Sequence, residues 1–113
     1  MNSDLYVHLF HILIVGTLFL YVGIKSTATP PFMYPILLGL GVVIIFYHAY
    51  KTYLKVNAGK NPWVNLFHIF IVGPLLIYIG YNKQATPRQA YEYLLMLGFA
   101  AIGYHGYYAI KGQ

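Results

Sequence analysis

The chain has 113 residues, 59% of them hydrophobic and 8% charged, with a mean hydropathy of +0.61. A soluble domain carries about 25% charged residues, so this composition cannot cover a water-facing surface and points to the bilayer as solvent. The absence of cysteine excludes disulfides, thiolate metal sites and cysteine nucleophiles, and the net charge of +5 is not a nucleic-acid signal, because the basic residues sit in short polar breaks between apolar runs.

Four apolar runs follow in chain order, at roughly residues 5–24, 34–53, 62–81 and 88–110. A helix needs about 20 apolar residues to cross a bilayer core of ~30 Å. No run shows strand alternation at barrel length, so helices are expected. The first run lacks the basic leader and small-residue cleavage site of a signal peptide. Pro35 marks the start of the second helix, since proline is poorly tolerated deep inside one. Asn57-Ala58-Gly59 supplies a turn. Asn61-Pro62 places a capping residue before a first-turn proline, and Trp63 beside it reads as an interface anchor. Pro74 falls mid-helix and is expected to free the Phe70 carbonyl and kink the third helix. Thr86-Pro87-Arg88-Gln89 fits a capping box for the fourth. The two acids, Asp4 and Glu92, are expected near helix N-termini, where negative charge complements the dipole.

The main organising fact is a repeat. With an offset of 57 and no gap, Phe10-His11-Ile12 falls on Phe67-His68-Ile69, Gly16 on Gly73, Tyr21 on Tyr78 and Gly23 on Gly80. Ala28-Thr29-Pro30 falls on Ala85-Thr86-Pro87, Leu37-Leu38 on Leu94-Leu95, Gly41 on Gly98, and Tyr47-His48 on Tyr104-His105. Two helices and a loop are duplicated together, so both copies enter the membrane the same way round. The expected fold is all-α. It is a four-helix transmembrane bundle of two parallel-repeat helical hairpins, about residues 5–55 and 62–112, with pseudo-twofold symmetry in one membrane domain spanning residues 1–113. Both termini and the Val56–Asn61 loop are expected on one side. The termini side carries Lys51, Lys55, Lys60 and Lys111, the other side Lys25, Lys83 and Arg88, a slight lean to cytoplasmic termini. Basic residues on both sides suit anionic lipid headgroups.

In that topology His11, His48, His68 and His105 fall in one layer, ~8–9 Å below the termini surface at 1.5 Å per residue. His8 lies one turn above His11, and its repeat mate is Asn65. On a helical wheel Tyr34, Leu37, Gly41, Ile45 and His48 gather on one side. In the first helix His11, Val15, Leu18 and Val22 form one stripe while Gly16 and Gly23 lie on another. Three readings of the layer stay open. The four imidazoles, with His8 as a further candidate, hold a transition metal or a haem b. Alternatively they only pack and hydrogen-bond, as in a structural or assembly protein, or they pass protons or ions. The two carboxylates are on opposite sides, and no nucleophile triad or phosphate loop is visible, so an enzyme is not expected. Gly16/Gly23 and Gly73/Gly80, each pair one heptad apart, leave room for a homo-oligomer.

Family resemblances narrow this further. Length and four crossings look like small multidrug transporters, but those rely on a glutamate in the first helix, absent here. Membrane cytochromes of the b561 type carry histidine pairs near both faces, whereas the opposite half here has none. The run LFHIFIVGPLLIYIGYNK, with YHGYYAIK, resembles short hydrophobic proteins of unknown function encoded by large DNA viruses of algae. That resemblance implies a viral product in a host or virion membrane and a structural role.

Overall fold

The structure, a computed structural model, describes residues 3–111, with side chains from Leu5 onward. Helix α1, residues 3–25, begins as an α-helix at Ser3–Phe10, widens to a π turn at His11–Gly16 and returns to α at Thr17–Lys25. Helix α2 is Met33–Asn57. Helix α3, residues 63–82, has the same build as α1: Trp63–Phe67, a π turn at His68–Val72, then Gly73–Asn82. Helix α4 is Arg88–Lys111. Short 3₁₀ turns, Ser26–Ala28 and Lys83–Ala85, close α1 and α3. No strand occurs among the described residues.

Three stretches are long and apolar enough to cross a membrane: Leu5–Ala28, Met33–Asn57 and Trp63–Ala85. Helix α4 has the length, but five tyrosines, three glycines, His105 and Glu92 keep its hydropathy below theirs. In hydrocarbon a helix is favoured because it satisfies its own backbone. The ends follow local chemistry. Asn61 Oδ1 accepts the Trp63 N–H at 3.1 Å, but Pro62 stands at the cap position and not at the first helical one, which is Trp63. Pro35 lies in the first turn of α2, where no N–H is needed. Thr86 departs from the capping-box expectation. Its hydroxyl turns back and donates to the Ile79 carbonyl at 3.3 Å, which also accepts the Lys83 backbone N–H at the end of α3. Thr29 donates to the Ser26 carbonyl at 2.7 Å and reaches the Val22 carbonyl at 3.5 Å. Both threonines are buried.

The chain divides into two compact units. In one, Met1–Thr29 with Pro87–Gln113, α1 packs on α4; in the other, Pro30–Thr86, α2 packs on α3. Each repeat therefore gives one helix to each unit, so packing and sequence repeat are out of phase. Within the α1–α4 unit, Gly16 lies under Ile102, Gly98 under Leu20, and Gly23 against the backbone of Leu95. Within the α2–α3 unit, Gly73 lies under Ile45, Gly41 under Ile77, and Gly80 against the backbone of Leu38 and Tyr34. Each contact of the first set becomes one of the second when both residues shift by 57. Glycine is required where backbones meet: a Cβ at Gly80 would sit 2.6 Å from the Leu38 nitrogen, and one at Gly23 2.8 Å from the Leu95 Cα.

The burial pattern corrects one wheel and supports the other. Tyr34, Leu37, Gly41 and His48 of α2 are buried, with Ile45 half-buried, as their shared face requires. In α1 the buried positions are Gly16 and Gly23 of one expected stripe, Val22 of the other, and Phe19 of neither. The π turn is the reason. One extra residue in a turn rotates everything beyond it by about 100°, so His11 and Gly16 cannot be placed on one regular wheel. Pro74 stands just past the matching π turn in α3, in the first turn of the α segment Gly73–Asn82. Since α1 has the same π turn with Thr17 in that place, the proline is not its cause. Glu92 pairs with Arg88 at 3.5 Å on the exposed first turns of α4. The expectation for Asp4 concerns a side chain outside those described.

Candidate functional site

In the α1–α4 unit the π turn begins at His11, whose Nδ1–H donates to the Val7 carbonyl at 2.8 Å. That bond fixes the ring against its own helix and makes Nδ1 the protonated nitrogen, because a carbonyl only accepts. The His11 ring lies face to face with His105 of α4, centroids 4.1 Å apart and planes 19° apart. The Nδ1 atoms of His105 and His8 are 2.8 Å apart, so one donates and the other accepts. Tyr104 meets the His105 ring edge-on at 5.1 Å, and Tyr108 lies parallel to His8 at 6.2 Å. His105 is buried at 7% exposure; His8 and His11 are half-buried.

The α2–α3 unit repeats the arrangement with one partner changed. The His68 Nδ1–H donates to the Val64 carbonyl at 2.7 Å, at the start of the π turn. The same carbonyl and that of Asn65 share the His68 backbone N–H, and the Gly73 N–H reaches back to the His68 carbonyl. His68 stacks on His48 of α2, centroids 4.1 Å apart and planes 14° apart. Tyr47 meets His48 edge-on at 5.1 Å. Where the other unit has His8, this one has Asn65, whose Nδ2–H donates to His48 Nδ1 at 2.7 Å. Asn65 is 4% exposed, and its Oδ1 has no hydrogen-bond partner.

The five histidines are thus brought together as His11–His105 with His8, and as His48–His68. Imidazole lone pairs lie in the ring plane. In two rings stacked within 19° of parallel the lone pairs run side by side and do not converge on a point between the rings. A stacked pair in this geometry does not offer both rings to one ion or to the two faces of one haem iron. Among the described residues no group of three or more His, Asp or Glu is arranged to hold a metal. What the arrangement does supply is cohesion. A stacked aromatic contact adds about 0.5–1.5 kcal/mol beyond burial, and a buried hydrogen bond a similar amount. Each unit therefore carries a polar fastening between its two helices.

Sequence reasoning found the histidines and missed their partners. Asn65 was visible only as the residue standing where His8 stands, which is the signal that could have found it. The Val7 and Val64 carbonyls carry no side-chain signature, and a π turn has none at the level of apolar periodicity. Compared with protein-family models, with curated proteins and with solved structures, the chain matches none of them.

Proposed function

We propose that the chain is a non-enzymatic integral membrane protein with four spans, a duplicated helical hairpin with pseudo-twofold symmetry and both termini on one side, whose role is structural or in assembly. On this reading the histidines fasten helices and do not hold a metal or haem. The supporting observation is the near-parallel stacking of His11 on His105 and of His48 on His68. It uses the ring faces for packing, and the Nδ1 atom of each ring is engaged by a protein group. Lys51, Lys55, Lys60 and Lys111 at one end, and Lys25, Lys83 and Arg88 at the other, suit anionic headgroups on both surfaces.

Two measurements test this. Elemental analysis and an absorption spectrum of the purified protein should show no stoichiometric metal and no haem band; either one would overturn the fastening reading. Single cysteines introduced at Ala58, Thr27 and Gln84, all exposed, should label from opposite faces of the membrane, 58 from one side and 27 with 84 from the other. Labelling of 58 and 84 from the same side would remove the four-span topology.

A further inference from the structure

The exposed tyrosines and the tryptophan are not scattered along the helices. Each carries an apolar ring with a polar tip, and in membrane proteins such side chains gather where hydrocarbon meets headgroups. On α1 the exposed members of this class are Tyr6 and Tyr21, fifteen residues apart. On α3 they are Trp63, Tyr78 and Tyr81, the first two again fifteen apart and the repeat mates of the α1 pair. On α4 they are Tyr93 and Tyr107, fourteen apart. On α2 they gather at one end, at Tyr47, Tyr50 and Tyr53, where Tyr50 is the repeat mate of Tyr107.

We propose that these residues form two aromatic belts that set a hydrophobic thickness of about 21–22 Å, and that the lipid this protein fits is therefore a thin bilayer of short acyl chains, not one with a typical core of about 30 Å. At 1.5 Å per residue, fourteen to fifteen residues of helix span about 21–22 Å. Helices α1, α3 and α4 each give this length on their own. Side chains on a helix all lean towards its N-terminus, so the spacing of the two backbone positions carries over to the rings. Tilt of a helix only shortens the distance it covers across the bilayer.

The surface between the belts suits hydrocarbon. Between Trp63 and Tyr78, and between Tyr93 and Tyr107, every exposed position is apolar or glycine; between Tyr6 and Tyr21 the one exposed polar residue is Thr17. The half-buried imidazoles of His8, His11 and His68 lie within two turns of the Tyr6 and Trp63 belt, each with Nδ1 hydrogen-bonded. Helix α4 is less hydropathic than the others, yet Tyr91 and His105 are buried, and Glu92, Tyr93, Tyr107 and Lys111 stand at or beyond the belts. Its exposed stretch is thus as apolar as that of α3. Charge points the same way. Glu92 and Lys111 are nineteen residues apart, about 28 Å along the helix. A core of about 30 Å makes both side chains reach outwards to keep their charge among headgroups, and a core of belt thickness does not.

The proposal rests on the membrane reading of the chain, and the test separates the two. Trp63 is the only tryptophan and stands in one belt, so its fluorescence reports contact with lipid. The full-length protein is reconstituted in phosphatidylcholine vesicles with monounsaturated chains of about 14, 18 and 22 carbons, a series that varies core thickness. Relative affinity for each lipid is read from quenching of Trp63 by a brominated lipid in mixtures of known composition. Affinity should be highest for the shortest chains and fall severalfold towards the longest. The double variant Tyr21→Leu with Tyr78→Leu extends the apolar band towards Lys25 and Tyr81, and its optimum should move to longer chains. An optimum at about 18 carbons or more in the unaltered protein would overturn the proposal and leave the membrane reading standing. So would an optimum that the double variant does not move. Trp63 fluorescence that no brominated lipid quenches would remove the membrane reading itself, and the proposal with it.

Discussion

The α1–α4 and α2–α3 units are one design executed twice with different tolerances. Their helix crossings use matching positions at an offset of 57, their π turns start at a matching histidine, and their imidazoles stack at the same 4.1 Å. They diverge where the polar partner of the stacked pair is chosen, His8 in one and Asn65 in the other. Packing between helix backbones leaves little freedom, because a Cβ at Gly80 or Gly23 meets main-chain atoms that cannot step aside. The polar partner needs only to reach one ring nitrogen, and either an imidazole or an amide can do so. Shape is held fixed while charge is free to vary.

The largest effects should come from the helix crossings. Gly23→Ala and Gly80→Ala should each cost about 1–3 kcal/mol or more, by overpacking against backbone. Gly39→Ala and Gly103→Ala, where a Cβ meets nothing within 4 Å, should be neutral or gain up to about 1 kcal/mol from helix propensity. Denaturant unfolding in detergent reads all four. Equal losses at 23 and 80 support equivalent units, and losses at 39 or 103 as large as these would break the equivalence.

The histidine substitutions come next and should separate the units. His48→Ala removes a stacked ring and leaves the amide of Asn65, buried at 4% exposure, without its acceptor. A buried polar group left unpaired costs about 1–3 kcal/mol. His105→Ala leaves His8 instead, which is half-buried and can turn towards water. Thermal melts should therefore rank His48→Ala below His105→Ala in stability, and the reverse order would show that burial of the partner does not set the cost.

Smaller changes test the loops. Thr29→Val and Thr86→Val each lose a hydrogen bond to the end of the preceding helix, about 1 kcal/mol. Ser26 and Lys83, repeat mates with φ of 53° and 52°, occupy backbone that favours glycine. Ser26→Gly and Lys83→Gly should raise the melting temperature slightly, by relieving about 1 kcal/mol of strain each.

Much of this was legible in the sequence, and the limits have physical causes. The helices follow from hydrocarbon length and from prolines placed in first turns. The buried face of α2 follows from a wheel that works because α2 is α-helical throughout. The wheel fails for α1 because the π turn at His11–Gly16 changes its register, and apolar periodicity does not report a single wide turn. The repeat singled out the four histidines as mates, His11 with His68 and His48 with His105, but could not say which helix packs on which, and so which rings stack. A duplicated hairpin can pair its helices within a copy or between copies, with the same residues in contact. The exchange of His8 for Asn65 was in plain view, and its meaning emerged only with the 2.7 Å bond from Asn65 to His48.

The claim that most needs a direct test is that the imidazoles act in stacked pairs. A double-mutant cycle on His48 and His68, read as unfolding free energy, isolates that interaction from everything else each ring touches. A coupling of about 0.5–1.5 kcal/mol is expected, the range for aromatic pairs, with a similar value for His11 and His105. Losses that simply add in both cycles would contradict the pairing.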